Sequence, residues 1–346
     1  MPDPYVIYAI IGLALIFDFV NGFHDAANSI ATVVCTRVLT PLQAVLWAGF
    51  FNFAAYWVFG TKVAGNIAKG VNTSSFSTNG VVAVVAAALI GAVIWNLITW
   101  YFGIPSSSSH ALMGGVGGAA AAGAGFGVLS PEVFIMTVVF IFVAPIMGLV
   151  LGHVFMQLMY FLFRNSTPTR VGKLFARLQL VSAAAYSLGH GGNDAQKTAG
   201  IIFVLLTACK MLPEDTKVPP EWVMLACYGA MGLGTLFGGW RIVKTMGQRI
   251  CRLQPVHGFA AEAAGAVSLY TATHFGIPVS TTHVITGAIF GVGSTRGIHA
   301  VKWNIAGRVL WAWILTIPFA GGVAALLFCF FRAMGWAGEI TPPPVP

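Results

Sequence analysis

The chain has 346 residues, of which 57% are hydrophobic and only 8% charged; its formal net charge is +8 and its mean hydropathy +0.82. Soluble domains carry about 25% charged residues, so this composition excludes a water-soluble fold and points to a bilayer as solvent. The basic residues sit in short gaps between apolar runs, which excludes a nucleic-acid-binding stripe and fits topology signals.

In chain order, the first apolar run covers residues 5–34 and is interrupted by Asp18, Asn21, His24, Asp25 and Asn28. It opens after Asp3 with no basic leader, so a retained span is expected and not a cleaved signal. A second run at 42–59 leads into a polar loop that holds Lys62, Lys69 and the stretch 72–79, and a third run fills 81–102. Pro105 starts a fourth segment through the serines at 106–109 into an Ala/Gly tract, whose small residues let neighbouring backbones approach closely. A fifth run at 133–163 closes the first half.

Arg164, Arg170, Lys173 and Arg177 follow with no acidic residue among them, and Pro168 with Gly172 suits a connector, so a cytoplasmic basic loop is expected at 164–177. The second half starts near Leu178 and reaches a loop where Glu214, Asp215 and Glu221 outnumber the lysines. Runs at 222–240, 259–275, 279–292 and 305–331 complete it, with Arg241, Lys244, Arg249 and Arg252 forming another cytoplasmic cluster. Most runs approach or exceed the roughly 20 residues a helix needs to cross a bilayer, and a membrane barrel would show shorter alternating segments. The five cysteines are scattered, form no CxxC and read as packing residues.

Two motifs occur twice. Asn21-Gly22-Phe23-His24-Asp25-Ala26-Ala27-Asn28 is answered by His190-Gly191-Gly192-Asn193-Asp194-Ala195-Gln196-Lys197, and Gly103-Ile104-Pro105-Ser106-Ser107-Ser108-Ser109-His110 by Gly276-Ile277-Pro278-Val279-Ser280-Thr281-Thr282-His283. Asp194 stands 169 residues after Asp25 and His283 stands 173 after His110, so the chain divides into membrane repeats at 1–163 and 178–346 around the connector. Five crossings per half, an odd number, would make the second repeat enter from the opposite side. The expected fold is an all-α polytopic membrane protein of two inverted-topology repeats, with about 10–12 transmembrane or re-entrant helices and both termini external.

A carboxylate at membrane depth is costly unless a cation meets it. Asp25 and Asp194, with the neutral ligands Asn28 and Asn193, therefore read as cation sites, and His24 beside Asp25 is a group able to exchange protons near neutral pH. Lys197 replaces Asn28 in the second copy and would neutralise Asp194 permanently. In the Gly-Ile-Pro motifs, proline suits a first helical turn, so Ser107, Ser108, Ser280, Thr281 and Thr282 would crowd two helix N-termini, where free N–H groups attract anions. Two hydroxyls per repeat would reach a ligand while others cap. Glu262 is a third intramembrane carboxylate, expected to pair with Arg308 or His257 or to relay protons, and His110 and His283 are expected to share a structural hydrogen bond. No GxxxxGK[ST] stretch occurs, so energy would come from an ion gradient and not from a P-loop nucleotide site.

NGFHDAAN, HGGNDAQKTAGII and GIPVSTTHV resemble the signature stretches of the PiT family of inorganic phosphate transporters, particularly its bacterial low-affinity branch, and the resemblance covers both halves. It implies a secondary transporter in the bacterial inner membrane that moves phosphate with H+ or Na+, in some members as a neutral metal–phosphate complex, without a cofactor. It also implies that Asp25, Asn28, Asn193, Asp194 and Gln196 belong to the ion and substrate site and that Ser107, Ser108, Ser280, Thr281 and Thr282 ligate the anion. His24 stands where sodium-coupled members typically carry asparagine, which favours protons. Sulfate as the substrate, an intramembrane hydrolase built on Ser109 or Thr282, and a passive anion channel stay open at this stage, as does homo-oligomeric assembly.

Overall fold

The computed structural model describes residues 2–213 and 215–340; Glu214 of the acidic loop lies outside the described residues. Among the described residues twelve α-helices follow one another with short 3-10 turns, one π-helical turn (Thr245–Arg249) and two isolated bridges, and no strand forms. The first half contains α1 (Pro4–Cys35), α2 (Pro41–Ala54), α3 (Lys62–Ala68), α4 (Thr78–Phe102), α5 (Ser108–Ala124) and α6 (Pro131–Leu162). The second half repeats the series as α7 (Pro168–Ala208), α8 (Glu221–Phe237), α9 (Trp240–Lys244), α10 (Pro255–His274), α11 (Thr281–Ser294) and α12 (Trp303–Ala333).

Local chemistry sets these boundaries. Asp3, Thr40, Ser77 and Thr167 cap the N-termini of α1, α2, α4 and α7 through their side-chain oxygens, which satisfies donors that the first turn leaves free. Gly103 and Gly276 follow the ends of α4 and α10 at φ +65° and +71°, a left-handed conformation that a residue with a Cβ adopts only at a cost. Each turn is thus a matched glycine corner that sends the chain back as α5 or α11.

Six helical elements per half replace the five crossings expected. The 42–59 and 222–240 runs each end in a sharp bend, 82° before α3 and 61° before α9, and the two stubs so formed were invisible as separate elements in the apolar pattern. The expected connector at 164–177 is mostly helical. Thr167 and Pro168 start α7 there, so Arg170, Lys173 and Arg177 ride on its first turns.

α1 and α7 cross at the centre and run antiparallel: Thr198 donates to Asp18 Oδ1 (2.8 Å) at one end, and Thr36 donates to Gln179 Oε1 (2.9 Å) at the other. That reversal is the inversion of the two repeats. Both helices continue unbroken through their polar motifs, so neither aspartate caps a broken helix.

The halves also interlock. α6 packs on α11 and α12 packs on α5, so each half lends its last helix to the other. The α6–α11 seam is lined by Gly148, Gly152, Gly287 and Gly291, where an added Cβ would collide with the facing backbone; small residues allow that approach in membranes. The outer faces of α6 and α12 carry exposed Phe142, Ile146, Val150, Trp311, Leu315 and Phe319, an apolar surface suited to lipid. Together with the apolar spans of α1 and α4, this makes the chain a multi-pass membrane protein.

Candidate functional site

The two motif helices meet the two glycine-corner helices in one buried cluster. Asp25, His190 and Asp194 each point one ligand atom inward, and those atoms lie within 4.8 Å of one another. His24 Nδ1 is 2.6 Å from Asp25 Oδ1, and its Nε2 reaches Thr99 Oγ1 at 3.0 Å. Lys197 Nζ makes three contacts of 2.6 Å, to Asp194 Oδ1, Ser109 Oγ and Val279 O, which uses all three of its donors. His190 Nε2 lies 3.2 Å from Asp194 Oδ2.

The hydroxyl helices supply the other wall. Ser107 and Ser280 accept from the N–H of His110 and His283 (3.2 Å each), so this matched pair caps α5 and α11. The next hydroxyls turn toward the aspartates. Thr281 donates to Asp194 Oδ2 at 2.9 Å, Ser109 faces Asp194 Oδ1 at 3.5 Å, and Thr282 accepts from Asn28 Nδ2 at 2.9 Å. Asn28 also reaches Thr281 Oγ1 at 3.4 Å. Ser108 Oγ is buried without a hydrogen-bond partner. Side chains from α1 and α7 thus meet both helix N-termini within one shell, every member of which is at most 7% exposed.

Several residues fall elsewhere than expected. Gln196 faces away from the aspartates: its Oε1 accepts from the N–H of Val63 (3.0 Å), tying α7 to the start of α3, and it lines a cavity of about 330 Å³ with Lys62, Tyr270 and Thr273. Asn193 donates to Thr273 Oγ1 (3.0 Å) and Ile277 O (3.2 Å), so it fastens the α10–α11 corner, as His24 does toward Thr99 and Ser106 at the α4–α5 corner. Glu262 meets neither Arg308 nor His257. Its two oxygens accept from Thr32 (2.5 Å), Gln179 (3.0 Å) and Ser182 (2.5 Å), a neutral-donor knot of α1, α7 and α10. His110 and His283 do not make the expected hydrogen bond, since no described partner meets their ring nitrogens in hydrogen-bond geometry; they touch ring to ring at 4.7 Å, and His283 stacks on Trp313 at 3.9 Å.

Sequence reasoning did not single out Ser109 as a partner of Asp194, nor Thr99 and His190 as members of the cluster. The spacing His190-x-x-x-Asp194 puts the two on one helix face and was the available signal.

Each corner is also held from outside by the bent stub of the opposite half. Lys62 Nζ donates to His274 O (3.1 Å) and Asn66 Nδ2 to Gly276 O (2.8 Å). Across the molecule, Arg241 Nη1 donates to Tyr101 O (2.6 Å) and Thr245 Oγ1 to Gly103 O (2.8 Å).

An intramembrane site of carboxylates, amides and hydroxyls, built from duplicated motifs at the crossing of two inverted repeats, is the architecture of a secondary transporter. The chain belongs to the phosphate transporter family, whose sequence profile it matches over residues 21–170 and 163–324. It is 51% identical over 328 residues to a probable low-affinity inorganic phosphate transporter of Rhizobium meliloti (strain 1021), covering 95% of this chain and 96% of that one. A protein of the same description from Bacillus subtilis (strain 168) is 44% identical over 91% of this chain and 94% of its own length. Among solved structures, one described as "The sodium-dependent phosphate transporter" shares the fold with a TM-score of 0.87 at 24% identity, over 95% of this chain and 100% of that chain.

Proposed function

We propose that the protein takes up inorganic phosphate by cation symport, binding both at the α1–α7 crossing and alternating access between the two sides. The observation that carries this is the convergence of Ser109 at the start of α5 and Thr281 at the start of α11 on one carboxylate, that of Asp194. Hydroxyls from two helix N-termini aimed at one oxyanion suit a tetrahedral oxyanion as well, since the N-terminal dipoles favour negative charge.

In this reading Ser109, Thr281 and Thr282 hold the anion, Ser107 and Ser280 position them as caps, and Ser108 is a spare donor. Asp25, Asn28 and His24 hold the exchanging cation. Lys197 fixes the charge of Asp194, while Asn193 and Gln196 act through the corners they fasten and Glu262 as a structural knot. Phosphate entering a negative interior works against about 2.3 kcal/mol per charge per 100 mV, which a co-transported cation offsets. The 2.6 Å contact of His24 with Asp25 favours a proton as that cation. Sodium is the second reading, favoured by the oxygen-rich ligand set and by the sodium dependence named for the solved protein of the same fold. A metal–phosphate complex would find Asp25, His190 and Asp194 as ligands, though Lys197 beside them opposes a divalent ion.

Alternating access follows from the two corners. Releasing Lys62 and Asn66 frees the α10–α11 corner, and releasing Arg241 and Thr245 frees the α4–α5 corner. In this reading the chain lies in a bacterial inner membrane, and the basic loops favour an orientation with both termini external and the 164–177 segment inside, between repeats at 1–163 and 178–346. Uptake into proteoliposomes with phosphate and sulfate in competition, under separate proton and sodium gradients, tests the whole reading. Saturable phosphate accumulation driven by one gradient and spared by sulfate is expected; uptake that never exceeds equilibrium would mean a channel.

A further inference from the structure

Four carboxylates are buried along the α1–α7 crossing, and three have their charge or lone pairs answered. Asp25 has His24, Asp194 has Lys197, and Glu262 accepts three donors. Asp18 is the exception. It is 0% exposed; Oδ1 accepts from Thr198 at 2.8 Å, Asn21 and Cys227 stand beside the carboxyl, and no described donor meets Oδ2 in hydrogen-bond geometry. One turn further along α1, Asn21 is 2% exposed and its Oδ1 also lacks a partner. A buried acceptor without a donor is costly, more so when charged, so this corner of the protein has acceptor capacity to spare.

We propose that Asp18, Asn21 and Thr198 form a second site for a monovalent cation, separate from the central cluster and nearer the N-terminal end of α1. Asp18 and Asp25 are seven residues apart, two turns on one helix face and about 10 Å along the axis. A cation at Asp18 would therefore stand one step from the Asp25 site, on the N-terminal side of it. The ionisable groups around Asp18 are Asp194 and Lys197 on α7 and Cys227 and Tyr228 on α8. The sequences of α2 and α4, which also pack on α1, contain no Asp, Glu, Lys, Arg or His. Lys197 spends its three donors elsewhere, so among the described residues no cationic side chain bonds directly to Asp18.

The second site rests on the symport reading above, and one experiment separates the two. In proteoliposomes, the number of cations moved per phosphate is read from the steady-state phosphate ratio, with a tenfold sodium gradient and, in a parallel series, a tenfold proton gradient. Asp18→Asn is nearly isosteric and is expected to remove one cation per phosphate, lowering the accumulation ratio about tenfold while phosphate still binds. The gradient that shows the loss identifies the ion. An unchanged ratio in Asp18→Asn overturns the second site and leaves symport standing; a wild-type protein indifferent to both gradients overturns both. Should Asp18→Asn fail to insert, Asn21→Leu takes its place: a several-fold rise in the half-saturating cation concentration supports the site, and an unchanged value overturns it.

Discussion

Asp25 and Asp194 hold equivalent places on antiparallel helices, yet their company differs. The first is paired with a histidine one residue before it and has an asparagine one turn on; the second has an asparagine before it and a lysine one turn on. Duplication supplies the geometry twice, and two changes, His24 against Asn193 and Asn28 against Lys197, separate an acid with an imidazole partner from one with a lysine counter-charge. Lysine's three short bonds hold the second repeat's carboxylate, a serine of α5 and the α10–α11 corner in one piece. In the proposed symport the second repeat is the fixed frame and the first the exchanging half.

That contrast can be broken most sharply by giving the first repeat the second's lysine. Asn28→Lys, like Asp25→Asn, is expected to bring phosphate accumulation down to that of empty vesicles while the protein still inserts in normal amount; near-normal accumulation by Asn28→Lys would remove the distinction between the halves. Next in size is Lys197→Gln. Removing one partner of a buried ion pair costs about 3–5 kcal/mol, so the melting temperature in detergent should fall clearly, and Asp194→Asn added to it should restore most of the loss by the logic of a double-mutant cycle. The smallest effect belongs to the hydroxyls. Thr282→Val removes the bond from Asn28, about 1 kcal/mol, and should raise the half-saturating phosphate concentration about fivefold with little change in stability, whereas Ser280→Ala, which removes a helix cap, should lower stability at unchanged affinity.

Much of this is legible in the sequence alone. The two motif pairs, their common offset and the apolar composition announce a duplicated membrane fold, and the polar residues at membrane depth mark its centre, because hydrocarbon tolerates them only with partners. What the chain conceals is which partner each one takes. Gln196 reads as a ligand beside Asp194, but i and i+2 on a helix face different ways, and its amide meets backbone donors 132 and 133 residues away in sequence. Glu262 reads as an acid in need of a base, yet hydroxyl and amide donors on α1 and α7 answer it across 80 to 230 residues. The stubs α3 and α9 escape notice because they are only 7 and 5 residues long and lie where the apolar runs stop, beside Lys62 and Lys69 or Arg241 and Lys244, and the exchange of α6 and α12 between halves leaves no periodic trace at all.

That exchange has a bearing on how the molecule is made. α6 emerges from the ribosome well before α11, so its glycines at 148 and 152 meet only lipid or the insertion machinery until residues beyond 290 have been synthesised. The amino-terminal half cannot be completed as a free-standing unit during translation, and a truncated product ending near residue 163 would display a groove of small residues that invites quality-control proteases. Assembly of the two halves is therefore a late and concerted event in biogenesis, sealed only when the last helix arrives against α5.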